Sequence, residues 1–342
     1  MKAMILQGLH NLETHESPLQ PAELLRPAPG KGEILVKVAA CGVCHTELDE
    51  IEGRTPPSRF PMILGHEIIG TVEEGGAGTA RFRKGDRIGI GWIHSACGHC
   101  RFCEKGEENL CADFKATGRD APGGYAEYTV VQEKFAVSIP DVFNDTAAAP
   151  LLCAGAVGYR SLRLAGIKNG ESLGLTGFGA SAHLVLMMAR YLYPDSPIFV
   201  FARNEKERII ARELGALWAG DTAEAPPEAL RAIIDTTPAW KPAVEALIHL
   251  QAGGRLVINA IQKENRDRDY LLHMDYPRHL WLEKEIKSVA NVTRRDIEEC
   301  MNLAARIRII SHVEEFSLED ANRALLELKR GKIRGAKVLK MN

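Results

Sequence analysis

A chain of 342 residues exceeds what one ordinary hydrophobic core takes and is long enough for two domains. Hydrophobic residues make up 45%, charged residues 26%, and the formal net charge is −2; this describes a soluble globular protein and excludes an intrinsically disordered one. Near-neutrality also removes the electrostatic basis for a nucleic-acid partner, because no basic excess exists to displace phosphate counterions.

The eight cysteines are too sparse for a disulfide-stapled scaffold, and they cluster at 41 and 44, at 97, 100, 103 and 111, and at 153 and 300. Met1–Leu6 lacks the apolar core and small-residue cleavage site of a signal peptide. The most apolar long window, 173–189, carries Thr176, His183 and three glycines, so no membrane span is expected. The expectation is a cytoplasmic location, with cysteine used as free thiol and metal ligand.

In chain order, the stretch to about residue 150 holds short β-rich runs broken by glycine and proline, such as Ile34–Val38, Ile68–Val72 and Tyr128–Val131. These predict a twisted, barrel-like β domain with little helix before Ala147. The middle alternates. Strands are expected at Leu173–Thr176, Ile198–Phe201, Ala232–Asp235 and Arg255–Ile258, with a turn at Gly253-Gly254. Helices are expected at about Ala180–Tyr191, Glu205–Leu214 and Pro242–Leu250. Alternation of this length predicts a doubly wound parallel sheet. Two helices, Arg295–Ile307 and Leu318–Lys329, and a strand near Ala336–Leu339 close the chain.

Gly177-x-Gly179-x-x-Ala182 lies between an apolar strand and a helix start. There, glycines let backbone approach a pyrophosphate and the helix N-terminus offers free amides. A tight strand-to-helix turn would look the same in isolation; placement inside a strand–helix–strand unit favours dinucleotide binding. The next strand ends in Phe201-Ala202-Arg203-Asn204, without the carboxylate that would accept from a ribose 2′-hydroxyl. Arg203 could pair a 2′-phosphate, so NADP(H) is favoured over NAD(H). Phe178, Ala180, Asn259 and Ala260 complete the candidate cofactor contacts with Gly177 and Gly179.

Cys97-x-x-Cys100-x-x-Cys103-x7-Cys111 offers four thiolates in one short loop, the donor set of a closed tetrahedral zinc; an iron–sulfur cluster usually draws a more distant fourth ligand. Cys41-Gly-Val-Cys44-His45-Thr46, Gly65-His66-Glu67 and Leu-Cys153-Ala-Gly offer further soft and imidazole ligands, whose spacing alone does not bring them together.

These segments, with Gly85-Asp86-Arg87 and the glycine loop, stand in the order of the zinc-dependent medium-chain dehydrogenase/reductase superfamily, and the chain resembles its alcohol dehydrogenase group over essentially its whole length. The resemblance implies a β-rich GroES-like catalytic domain (1–153 and 291–342) and a Rossmann domain (154–290). It implies two zinc ions per chain, a homodimer or homotetramer, and hydride transfer between a small alcohol or aldehyde and NAD(P). Cys44, His66 and Cys153 match the catalytic zinc ligands, and the four-cysteine loop matches a structural zinc. Thr46 matches the group that passes the hydroxyl proton, Glu67 a carboxylate beside the metal, Glu47 an acid orienting the histidine ligand, and His45 a contact to cofactor pyrophosphate. Asp49 stands where many members end a proton relay with histidine. Trp92 matches a position that narrows the substrate pocket in some relatives, while Cys41 and Cys300 stay unassigned and His99, His183 and His249 read as structural. The Lys329–Arg334 stretch reads as a solvated helix end. A reductase of aldehydes or polyols in the same superfamily would keep every metal residue. A non-catalytic zinc- and dinucleotide-binding sensor would have no use for an open metal position.

Overall fold

Short runs rich in valine and isoleucine, such as Ile34–Val38 and Ile68–Val72, build the strands of the first 140 positions. In the computed structural model, which describes residues 1–309, 311–331 and 335–341, the longest of these is Glu33–Val43. It pairs antiparallel with Ile68–Gly75, Tyr128–Gln132 and Ala336–Lys340. Arg87–Ile90, Ala136–Ser138 and Val313–Ser317 extend this sheet to seven strands among the described residues. A second, three-stranded sheet packs Lys2–Leu6 between Leu19–Glu23 and Met62–Ile63. Leu6, Ile34, Val36, Cys41, Leu64, Ile68 and Leu339 lie in the core of this part.

Contacts divide the chain into two compact units, Met1–Cys153 with Val292–Asn342, and Ala154–Asn291. The second unit holds six parallel strands among the described residues. Their order is Trp218–Gly220, Ile198–Phe201, Leu173–Thr176, Leu230–Asp235, Leu250–Ile258, Glu285–Ser288. Strand order runs outward in both directions from Leu173–Thr176, so the reversal lies between it and Leu230–Asp235. At such a reversal, connections leave to opposite sides and open a crevice at the strands' carboxyl ends.

Two apolar runs become strands with the bounds expected of them, Leu173–Thr176 and Ile198–Phe201, because strands buried on both faces read as continuous apolar blocks. Helix is sparse before Ala147, as expected: the longest α-helix there among the described residues, His45–Ile51, follows Cys44 directly, and Glu47 caps it by accepting the Cys44 backbone N–H at 2.7 Å. Other expectations need correction. Gly253-Gly254, expected as a turn before the strand Arg255–Ile258, lies inside the longer strand Leu250–Ile258 as an irregularity where the register with Leu230–Asp235 shifts. The helix expected at Pro242–Leu250 runs Trp240–Ile248, with Pro242 tolerated in its first turn. Lys332, Ile333 and Arg334 of the basic stretch lie outside the described residues; Lys329 ends a helix and pairs with Glu52 at 2.8 Å. Among the described residues no helix is long and apolar enough to cross a membrane.

Candidate active site

The helix His45–Ile51 starts where the long strand Glu33–Val43 ends, and this junction presents Cys44 and Thr46 side by side, Sγ to Oγ1 3.7 Å. His66 and Glu67 precede the strand Ile68–Gly75, which pairs with that same long strand. Cys153 follows the short helical turn Ala149–Leu152. These placements bring one ligand atom each from Cys44, His66, Glu67 and Cys153 within 4.8 Å of one another. Gly42 lacks a side chain at the point that the Glu67 carboxyl fills.

Whether these residues fit a metal ion can be judged from their atoms. The Cys44 and Cys153 sulfurs stand 3.8 Å apart. Two thiolates on a tetrahedral zinc with bonds of ~2.3 Å would be about 3.8 Å apart. The Glu47 carboxylate accepts from His66 Nδ1 at 2.6 Å, which leaves Nε2 as the ring nitrogen available to a metal. His66 Nε2 is buried and without a hydrogen-bond partner, a costly arrangement for a polar atom unless a metal takes it. The Cys153 thiol beside it pulls Cys44 well below the usual thiol range, whereas Cys44 and burial push Cys153 up. A cation bound here would displace thiol protons. Burial also pushes the Glu67 carboxyl well up.

The four-cysteine loop makes a second such group, Cys97, Cys100, Cys103 and Cys111, all within the same 4.8 Å limit. Cys97 and Cys103 sulfurs are 3.8 Å apart, and the Cys100 N–H points at Cys97 Sγ at 3.4 Å. Backbone N–H groups of His99 and Cys100 pull the Cys97 thiol down to about 6. His99 Nδ1 lies 3.0 Å from the Cys97 carbonyl and contributes nothing to the sulfur set.

In the second unit, Gly177 has φ +76°, and a Cβ there would stand 2.8 Å from Thr237 Cγ2. Gly179 precedes the helix Ala180–Leu192, and a Cβ on it would meet nothing within 4 Å. A left-handed turn followed by an open helix N-terminus fits a dinucleotide pyrophosphate. Phe178 and Ala182 are buried and Arg203 is exposed at the end of Ile198–Phe201. Asn259 donates to Ser181 Oγ at 3.4 Å, in the first turn of that helix, and Ala260 follows half-buried.

Asp49 is engaged elsewhere: Arg54 Nε donates to it at 2.6 Å, and among the described residues no hydrogen bond joins it to Thr46. His249 stacks on Phe201 at 5.4 Å, and Cys41 and Cys300 are buried free thiols. Trp92 packs on Phe114 at 4.9 Å with its Nε1 buried and unpartnered. Sequence reasoning missed Glu50, whose two carboxylate oxygens are buried without a partner, and the buried pair Lys263–Asp235. Neither lies in a recognisable motif.

Residues 30–141 match the family model of the alcohol dehydrogenase GroES-like domain. A probable alcohol dehydrogenase, AdhA, of Mycobacterium tuberculosis is 41% identical over 327 residues, covering 94% of this chain and 92% of the relative. An alcohol dehydrogenase of Geobacillus stearothermophilus is 32% identical over 342 residues, covering 97% and 98%. Among solved structures, the cobalt- and zinc-bound thermostable alcohol dehydrogenase from Pyrobaculum aerophilum superposes with a TM-score of 0.84 at 25% identity, over 99% of this chain and 100% of that one. With a GroES-like domain, a Rossmann sheet and relatives at these identities along nearly its full length, the chain belongs to the alcohol dehydrogenase group of the medium-chain dehydrogenase/reductase superfamily.

Proposed function

We propose that this alcohol dehydrogenase is zinc-dependent and interconverts small alcohols with aldehydes or ketones, using NADP(H) in preference to NAD(H). The observation that carries the reading is the Cys44, His66, Glu67 and Cys153 group, in which the buried His66 Nε2 has no partner; with Cys44, His66 and Cys153 as the lasting ligands, the substrate oxygen would take the fourth position in exchange for the Glu67 carboxylate. The zinc-bound relative from Pyrobaculum aerophilum supports the choice of metal.

When bound, zinc would supply a Lewis acid for the substrate oxygen, and the dinucleotide a hydride acceptor or donor. Cys44, His66 and Cys153 would hold the metal, with the four-cysteine loop holding a second, structural ion. Glu47 keeps the His66 ring oriented through Nδ1, and by capping the helix His45–Ile51 it also fixes Thr46 relative to Cys44. Thr46 Oγ1, beside Cys44 Sγ, relays the substrate hydroxyl proton: in oxidation it accepts that proton as it releases its own to solvent, and in reduction the two transfers reverse. Asp49, held by Arg54, shares no hydrogen bond with Thr46 among the described residues and does not extend the relay. The Cys44 and Cys153 sulfurs, 3.8 Å apart, would as thiolates offset the charge of a divalent cation held between them. In the second unit the Gly177–Gly179 turn and the amides of Ala180 onward would hold the pyrophosphate, with Arg203 on the 2′-phosphate.

The experiment is a panel of primary and secondary alcohols and their carbonyl products, run with NADP(H) and NAD(H) on metal-stripped and zinc-restored protein. Turnover that needs zinc and is faster with NADP(H) is expected. Turnover by stripped protein would refute the metal assignment.

A further inference from the structure

Lys263 is almost wholly buried in the second unit, with no sequence motif to explain it. Its ammonium pairs with the Asp235 carboxylate and donates to the carbonyl oxygens of Thr237 at 2.8 Å and Ala239 at 2.9 Å. Asp235, the last residue of Leu230–Asp235 and fully buried, accepts in turn from Thr176 Oγ1 at 2.7 Å and Thr237 Oγ1 at 2.8 Å. Thr176 is the residue immediately before Gly177, and Thr237 is the residue against which Gly177 packs. The Asp235 carbonyl accepts the Asn259 N–H at 2.8 Å, and the Asn259 side chain reaches Ser181 in the first turn of the helix behind the glycine loop. One ammonium therefore joins the chain ends leaving three adjacent parallel strands, on either side of the point where strand order reverses.

A buried ammonium is expensive to desolvate, and replacing such a pair with apolar residues often costs no stability. What this pair does that an apolar contact would not is set directions: three donor bonds fix the 235–239 loop, and the carboxylate fixes Thr176 and Thr237. We propose that Lys263 is a positioning residue for the nicotinamide dinucleotide. Through Asp235 it holds the Gly177 turn and the 259–263 segment in the arrangement that receives the pyrophosphate and its neighbouring ribose. The proposal rests on the dinucleotide-binding reading above and adds to it a residue outside the glycine motif. It touches no substrate atom and acts through Asp235 and the loops.

The test is NADPH titration followed by its fluorescence, using full-length, zinc-loaded protein. Lys263→Met alone strands a buried carboxylate and is at risk of unfolding, so the informative variant is Lys263→Met with Asp235→Asn, which removes both charges. A dissociation constant for NADPH raised by at least about tenfold is expected, with zinc content unchanged and kcat at saturating dinucleotide within about threefold. A purely structural pair would lower the melting temperature and leave the dissociation constant of the folded protein within about twofold of wild type, which would overturn the proposal. Asp235→Asn alone, which keeps the shape and the oxygen that accepts from Thr176 and Thr237 but turns the oxygen facing Lys263 into an N–H donor, while Lys263 retains the Thr237 and Ala239 carbonyls, serves if the double variant does not fold, with the same two outcomes. Wild-type protein that binds neither NADPH nor NADH would overturn the dinucleotide reading itself, and this proposal with it.

Discussion

Glu50 poses the sharpest question at the level of single residues. It lies one helical turn after Thr46, and its carboxyl is buried without a donor. Burial pushes it well above the usual carboxylate range; Glu47 and Cys44 add to this, while His66 and Arg119 act against it. The folded protein therefore binds this proton more tightly than the unfolded chain, whose Glu titrates at about 4.3. Stability falls as pH rises above that value, and the penalty is complete only above the folded value. Glu50→Gln should accordingly stabilise the protein by about 1–3 kcal/mol at pH 8 and by little at pH 4. Unfolding midpoints measured across that range check it; a Gln variant equally destabilised at every pH would show that the carboxylate has a partner in solution. Arg203 is the second such residue. Exposed at the end of Ile198–Phe201, it has a clear role only if a 2′-phosphate reaches it. Arg203→Ala should lower kcat/KM for NADP by roughly tenfold or more and change NAD little. An equal loss with both dinucleotides would assign Arg203 to the adenine or to solvent.

Elements explain how the four-cysteine loop is held. Glu108, between Cys103 and Cys111, accepts the Arg294 backbone N–H at 2.9 Å and its Nε at 2.8 Å, at the start of the helix Arg294–Ile307. Burial alone would raise this carboxyl, yet the Arg294 donors outweigh it and hold it below the usual range. Such a contribution is present above the unfolded value and is lost as pH falls through the folded one. Glu108→Ala should cost about 1–3 kcal/mol near neutrality and progressively less below pH 4, read from unfolding curves. A cost independent of pH would mean that packing, not charge, anchors the loop. Elements also differ in how plainly the sequence announces them. Leu173–Thr176 and Ile198–Phe201 are uninterrupted apolar blocks, whereas the strand Glu285–Ser288 is exposed along its whole length and carries no such pattern. The helix His45–Ile51 is short and opens on a cysteine, so its capping by Glu47 is visible only in three dimensions. The cysteine spacings were legible because ligands within one loop must be close in sequence. The Lys263–Asp235 pair was not, because its partners meet only once parallel strands stand side by side.

At the scale of the whole molecule, the unit whose main sheet has seven strands among the described residues carries both sulfur-rich groups, and the unit with six parallel strands among them carries the glycine turn. The division of labour gives the central claim a direct test, since the two candidate metal groups share no residue. The measurement is zinc per chain, with turnover, in wild-type protein and in Cys153→Ala. Each of the two groups filled in the wild type, one ion lost in the variant and turnover reduced to background are the results expected. A single zinc per wild-type chain, or turnover unchanged in Cys153→Ala, would contradict the assignment of Cys44, His66 and Cys153 to a catalytic zinc.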